Sequence, residues 1–189
     1  MHFGATRFRQ LFTAGLLCCL ATIGRALTLE ELQSDVTLAP GTVARRFADF
    51  KYRFHAEVQV PQVFLSKRSG DCDDYATLAA DLLKARGFAP RLISVRMKKV
   101  VHVVCYVEDV GGYLDYNKRT CADGLVRSGN TLAEIADKVA ASFGTTWASV
   151  SEFTYRDGMK RLVQTSFPPE PAKHKGFTQS ERTNQPGSS

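Results

Sequence analysis

Apolar residues fall into two helical stripes with alternating runs between them, and this pattern divides the chain. From Asp73 to Arg86, Tyr75, Leu78, Ala79, Leu82 and Leu83 share one helical face, and Gly87 then Pro90 end the helix. The second stripe is Leu132, Ile135, Ala136, Val139, Ala140 and Phe143. It opens behind Asn130-Thr131-Leu132-Ala133-Glu134, which has capping-box spacing, and closes at Gly144. Between the stripes, Leu92 to Met97, Val101 to Val107 and Tyr113 to Asn117 are predicted strands. The links Lys98-Lys99 and Glu108-Asp109-Val110-Gly111-Gly112 are too short for crossovers, so the strands form an antiparallel meander. Period-two alternation puts His102, Val104 and Tyr106 on one face of their strand, and Tyr113, Asp115 and Asn117 on one face of theirs. If these strands are neighbours, His102 and Asp115 meet across one pair.

The flanks are shorter. Thr28-Leu29-Glu30-Glu31 has the capping-box pattern of a short helix, and Pro40-Gly41-Thr42 breaks and restarts the chain. Val43, Phe47, Phe50 and Phe54 then follow at spacings that predict an amphipathic helix, with Arg45, Arg46, Asp49, Lys51 and Arg53 on its solvated face. Pro61 opens a turn or two of helix with Val63, Phe64 and Leu65, leading into the loop Lys67-Arg68-Ser69-Gly70. Trp147 to Tyr155 and Met159 to Gln164, joined by Arg156-Asp157-Gly158, read as a hairpin with a type I′ or bulged turn. Residues 167–189 hold four prolines among mostly polar residues and are expected to be a disordered tail.

With 189 residues and 44% apolar content, the chain suits one domain with a full-sized core, placed at residues 27–166, plus terminal extras. The start reads as a signal peptide. Arg7 and Arg9 precede an uncharged run from Leu11 to Ile23, and Gly24-Arg25-Ala26 supplies the small residues of a cleavage site after Ala26. That run falls short of the roughly 20 residues that span a bilayer, so export to the periplasm or medium is expected, with no stable membrane insertion after cleavage. Neither Cys18 nor Cys19 follows the small residue that a lipid-attachment box requires. Loss of Arg7, Arg9 and Arg25, with no acid in the leader, lowers the net charge from +6 to +3. The remaining Lys and Arg are scattered among acids, which gives no nucleic-acid footprint. Cys72, Cys105 and Cys121 then remain, an odd count in an oxidising compartment. Either Cys105 and Cys121 pair and leave Cys72 free, or both stay reduced.

Candidate chemistry gathers at Ser69-Gly70-Asp71-Cys72-Asp73-Asp74-Tyr75-Ala76, where a basic loop meets the first helical stripe. The first N–H groups of a helix lack intrahelical partners and carry the positive end of its dipole, which favours a thiolate on Cys72. Asp71, Asp73 and Asp74 oppose that charge, whereas Lys67, Arg68 and a protonated His102 support it. An imidazolium in contact outweighs side chains that can point into solvent. Asp71 can cap the helix, and Asp74 and Tyr75 can hold the loop through hydrogen bonds. Among the other histidines, His2 is in the leader, His174 in the tail and His55 at a charged helix end. A nucleophilic thiolate needs a base within reach, and the base needs a third group to fix its tautomer, so Cys72, His102 and Asp115 are the candidate triad. Cys72, His102, Cys105 and Cys121 could supply four zinc ligands by number. A strand sends His102 and Cys105 to opposite faces, however, and there is no Cys-x-x-Cys pair, so no metal or cofactor is expected.

Over roughly residues 60 to 117 these features resemble the transglutaminase-like superfamily, on the papain-like cysteine-protease architecture. The resemblance rests on Gly70-Asp71-Cys72-Asp73-Asp74-Tyr75-Ala76, on Leu82-Leu83-Lys84-Ala85-Arg86-Gly87-Phe88-Ala89-Pro90-Arg91, on His102 and on Leu114-Asp115. It is strongest to the bacterial transglutaminase-like cysteine peptidases. The chain has His102-Val103-Val104 where many relatives have His-Ala-Trp, and no Trp precedes Cys72 to donate to an oxyanion. Gln59 or Gln62 is the candidate replacement, beside the backbone N–H of Cys72. The fold implied is α+β, with a Cys-bearing helix packed on an antiparallel sheet of four to six strands, one helix before it and one after. The function implied is an exported cysteine peptidase or amidase acting on a protein or peptide substrate through a thioacyl-enzyme. The alternatives are a protein-glutamine acyl transferase or a non-catalytic binding domain on the same fold.

Overall fold

The structure is a computed structural model that describes residues 27–121 and 123–169. The expected leader and the tail from residue 170 on lie outside the described residues. Three short helices come first, α1 (Leu29–Ser34), α2 (Pro40–Arg46) and α3 (Pro61–Lys67), with a two-residue strand β1 (Lys51–Tyr52) before α3. The strand β2 (Ser69–Gly70) pairs in parallel with β1 and leads directly into the helix α4 (Cys72–Lys84). Strands β3 (Pro90–Met97), β4 (Val101–Val107), β5 (Gly112–Leu114) and β6 (Val126–Arg127) follow, then helix α5 (Leu132–Ser142) and strands β7 (Trp147–Arg156) and β8 (Met159–Ser166).

The main sheet has six strands in the order β6-β5-β4-β3-β7-β8, and every pairing in it is antiparallel. The expected meander forms its first half. The β7–β8 hairpin joins the far side of β3, with Asp157 (φ 52°) and Gly158 (φ 71°) at the turn, as a type I′ connection requires. The two helical stripes lie on opposite faces of this sheet. Tyr75, Leu78, Ala79, Leu82 and Leu83 of α4 share a core with Leu92, Val103, Cys105, Leu114 and Phe153. Ile135, Ala136 and Val139 of α5 share the other core with Ile93, Val95, Val104, Tyr106 and Val150. Strand alternation feeds both cores, so the central strands are buried on both faces.

Two expectations are corrected, and one open alternative is decided. The stripe Val43, Phe47, Phe50, Phe54 is not one helix: α2 stops at Arg46, Phe47 and Phe50 are buried beyond its end, and Phe54 is exposed. Tertiary contacts override local periodicity there. Phe47 stacks on Phe64 and meets Tyr75 edge-on, while Lys51 N–H donates to Arg68 O (2.9 Å) and Arg53 N–H to Gly70 O (2.8 Å). The strand expected over Tyr113 to Asn117 ends at Leu114, because the Asp115 carboxylate accepts the Asn117 N–H and starts a 3-10 turn, Tyr116–Lys118. Of the two states left open for Cys105 and Cys121, the reduced one is present: both are free thiols, Cys105 buried and Cys121 exposed.

The delivery of Cys72 depends on close packing just before it. A Cβ added at Gly70 would stand 2.7 Å from two ring carbons of Phe64 and would also strike the Asp74 carboxylate. Gly70→Ala is therefore expected to lower stability by about 1–3 kcal/mol through overpacking, read by urea unfolding at constant slope. A loss below about 0.5 kcal/mol, the range of neutral surface changes, would show that this junction yields freely.

Candidate active site

Cys72 is the first residue of α4, half-buried, at the end of that helix where backbone N–H groups are unpartnered. The loop in front of it is held by carboxylates rather than by the basic side chains. Asp74 Oδ2 accepts the Asp71 N–H (3.0 Å), and Asp74 Oδ1 accepts the Gln59 N–H (2.6 Å). Gln59 Nε2 donates to Asp74 Oδ2 (2.8 Å) and to Ser69 O (3.1 Å). Asp71 Oδ2 accepts the His55 N–H (2.8 Å). Asp71 and Asp74 are both buried, so these bonds staple the segment 55–59 onto the helix start. Both amide hydrogens of Gln59 are thereby committed to the loop, so it is not a free oxyanion donor; Gln62 is exposed in the first turn of α3.

His102 and Asp115 are brought together. His102 Nε2–H donates to Asp115 Oδ1 at 2.8 Å, with His102 4% and Asp115 1% exposed. The same oxygen accepts the Asn117 N–H at 2.8 Å. By alternation His102 belongs to the α5 face, opposite α4, since it pairs with Val95. β5 pairs only with Cys105, Tyr106 and Val107, so the His102 end of β4 is left without that neighbour. Asp115, one residue beyond β5, closes the gap. With Nε2 committed, Nδ1 is the nitrogen left for Cys72, which lies near enough to the imidazole to act on its pKa.

Burial acts against charge on His102. The Asp115 hydrogen bond and charge, with the neighbouring Cys72, outweigh it, and the His102 pKa is pushed up to about 9. The imidazolium is therefore the resting form at neutral pH. On Cys105 burial alone dominates and pushes the thiol up, so that residue is an inert core thiol.

Sequence reasoning missed three contributors. Phe143, read as the last core residue of its stripe, lies just past α5 with its ring 5.0 Å from the His102 ring in an edge-on arrangement. Arg119 donates from Nε to Phe47 O (2.9 Å) and from Nη1 to Tyr116 O (2.6 Å), and it also bonds Phe50 O. Its guanidinium lies 4.0 Å from the Tyr116 ring centroid, so it ties the turn after Asp115 to the aromatic cluster under α4. His55 sits in irregular chain beside Asp71 rather than on a helix end. Only the position of Phe143 at the end of a periodic stripe left a trace in the sequence.

Carboxylate oxygens of Asp71, Asp73 and Asp74 lie within 4.8 Å of one another, an all-oxygen set of the kind that hard divalent cations use. Here Asp71 and Asp74 already accept backbone N–H groups. Burial, then the hydrogen bond with Asp71 and the charges of Asp71 and Asp74, push Asp73 up to about 7. Asp71 is held low despite its burial, chiefly by the Asp73 hydrogen bond and then by the His55 N–H, so the shared proton belongs to Asp73.

A cysteine at the first residue of a helix, packed against an antiparallel sheet that carries a buried His/Asp pair, defines a transglutaminase-like α+β core. Residues 29–118 match the family model of the transglutaminase-like domain, and this stretch, which includes Cys72, His102 and Asp115, belongs to the transglutaminase-like superfamily. No curated protein matches the chain.

The raised His102 pKa has a definite sign in stability. Its contribution is complete below the unfolded value of 6.5 and is lost as pH rises through about 9. The imidazole titration followed by NMR is expected to centre near 9 in the wild type and to move toward or below 6.5 in Asp115→Asn. An unchanged midpoint in Asp115→Asn would show that the pair is not the cause.

Proposed function

We propose that the protein is an exported cysteine hydrolase, a peptidase or amidase, that cleaves amide bonds through Cys72, His102 and Asp115. The observation that carries this reading is the buried 2.8 Å His102–Asp115 hydrogen bond, near a thiol at a helix start that acts on the same imidazole. A buried pair of this kind, placed against a half-buried cysteine, suits acyl transfer better than structural packing does.

In the proposed reaction the Cys72 thiolate attacks the carbonyl carbon, and the carbonyl electron pair moves to oxygen. The Cys72 backbone N–H, free of an intrahelical partner, faces that oxyanion. His102 gives its proton to the leaving nitrogen as the C–N bond breaks, which leaves a thioester. Neutral His102 then takes a proton from water, the hydroxide adds to the thioester, and the acid product departs as Cys72 regains its charge and His102 stays protonated. Asp115 fixes the ring and stabilises the imidazolium throughout. The absence of charged residues from Leu11 to Ile23, behind Arg7 and Arg9, supports export.

Cys72→Ala is expected to abolish turnover, and Asp115→Asn to lower it by roughly 100- to 10,000-fold with the fold retained, since the tautomer and the imidazolium are both lost. Peptide-library hydrolysis and circular dichroism read the two properties. A thiol-directed acyl electrophile should label Cys72 stoichiometrically and spare Cys105. A folded protein that hydrolyses nothing and labels no cysteine preferentially would point instead to a binding domain.

A further inference from the structure

Phe143 is a large apolar side chain that belongs to neither core of the sheet and is 38% exposed. Among the described residues its ring-to-ring contact is with His102, at 5.0 Å between centroids and 61° between planes. The backbone sets its place. α5 ends at Ser142, and Gly144 then turns the chain at φ 64°, donating to Ala141 O (3.0 Å) while Thr145 donates to Ala140 O (3.1 Å). These two bonds make the glycine cap that closes a helix, and they fix Phe143 as the last residue before the turn. His102 belongs to the sheet face that carries α5, at the end of β4 that β5 leaves unpaired, so the capped helix end brings the ring to the imidazole.

The chain around this point is open to solvent. Val100 and Val101, the two residues before His102, are 40% and 41% exposed, yet His102 itself is buried. The last torsion of a histidine side chain joins an sp3 to an sp2 carbon and is broad, so the orientation of the ring has to come from its contacts. Asp115 holds one edge of the imidazole through Nε2, which leaves the ring able to swing about that bond. A second ring packed at aromatic contact distance removes that freedom. The bond also needs cover. Asp115 Oδ2 is buried and receives no hydrogen bond from the protein, so the carboxylate is balanced through Oδ1 alone, by His102 and the Asn117 N–H. Water admitted beside the imidazole would compete for that oxygen and weaken a hydrogen bond that low local dielectric makes strong.

We propose that Phe143 is a positioning residue of the site: its ring closes the open margin of the sheet over His102, fixes the orientation of the imidazole and keeps water from the His102–Asp115 hydrogen bond. Its effect on rate rests on the hydrolase reading above, whereas its effect on the imidazole does not. Phe143 acts through His102 and touches no reacting atom. Because it lies outside both cores, its removal is felt at the imidazole and little in the stability of the fold.

The test compares Phe143→Ala and Phe143→Leu with the wild type by two readouts. NMR follows exchange of the His102 Nε2–H with water. Intact mass follows labelling of Cys72 by a peptidyl acyloxymethyl ketone, in which the thiolate forms a thioether and the carboxylate departs with the electron pair of the broken C–O bond. Phe143→Ala is expected to speed the exchange and slow the labelling, each by about tenfold or more, with the urea midpoint close to that of the wild type. Phe143→Leu, which keeps an apolar cover, is expected to recover most of both. In an Asp115→Asn background Phe143→Ala is expected to change labelling by less than about twofold, because the bond it protects is already gone. Unchanged exchange in Phe143→Ala, equal losses of labelling in both backgrounds, or a steep fall in the urea midpoint that marks Phe143 as core, each overturn the inference. Failure of the ketone to label wild-type Cys72 overturns the hydrolase reading, and the exchange measurement then decides the positioning of the imidazole by itself.

Discussion

The structure turns on one buried hydrogen bond, from His102 Nε2 to Asp115 Oδ1 at 2.8 Å. An isolated carboxylate at 1% exposure would be costly, and so would a lone imidazolium at 4%; each is tolerable because the other is there. The fold is arranged to supply both. β4 runs past the end of β5, so His102 leaves the sheet at an uncovered margin, and the chain turns into a 3-10 segment as soon as Asp115 has been placed. Arg119 then fastens that turn to Phe47, Phe50 and Tyr116, the aromatic cluster on which the buried Tyr75 of α4 also packs. Thiol, imidazole and carboxylate thus come from separate elements seated on one core.

The acidic residues around Cys72 have a similar logic. Three carboxylates near a nucleophile that works as an anion look counterproductive, but most of their oxygens are engaged within the loop. Asp74 holds Gln59 and Asp71, Asp71 holds His55, and Asp73 keeps a proton at a pH where an ordinary carboxylate has lost it. These bonds fix the loop in front of the nucleophile.

Much of this was legible in the sequence because the signals were local. The capping boxes at Thr28 and Thr131, the two helical stripes, the short strand links and the Asp157-Gly158 turn depend on neighbouring residues alone, and each appears as read. Cys72, His102 and Asp115 were legible as a set because their order and spacing match a family pattern. What stayed hidden was set by contacts distant in sequence. The Phe47 and Phe50 rings left the helical course that their spacing predicted because Phe64 and Tyr75 hold them elsewhere. Gln59 looked available as an oxyanion donor because nothing local shows that Asp74 and Ser69 claim its amide. Phe143 looked like core because a helical stripe does not say where the sheet beneath it ends.

The central claim is that His102 and Asp115 act on Cys72 as one unit, and a double-mutant cycle on the chemistry of Cys72 tests it most directly. The rate at which a peptidyl acyloxymethyl ketone labels Cys72 would be measured in the wild type, His102→Ala, Asp115→Asn and the double variant. Asp115→Asn is expected to slow labelling by about tenfold or more when His102 is present and to change it by less than about twofold when His102 is absent. Equal losses in both backgrounds would contradict the account, because Asp115 would then act on the site by a route that does not pass through the imidazole.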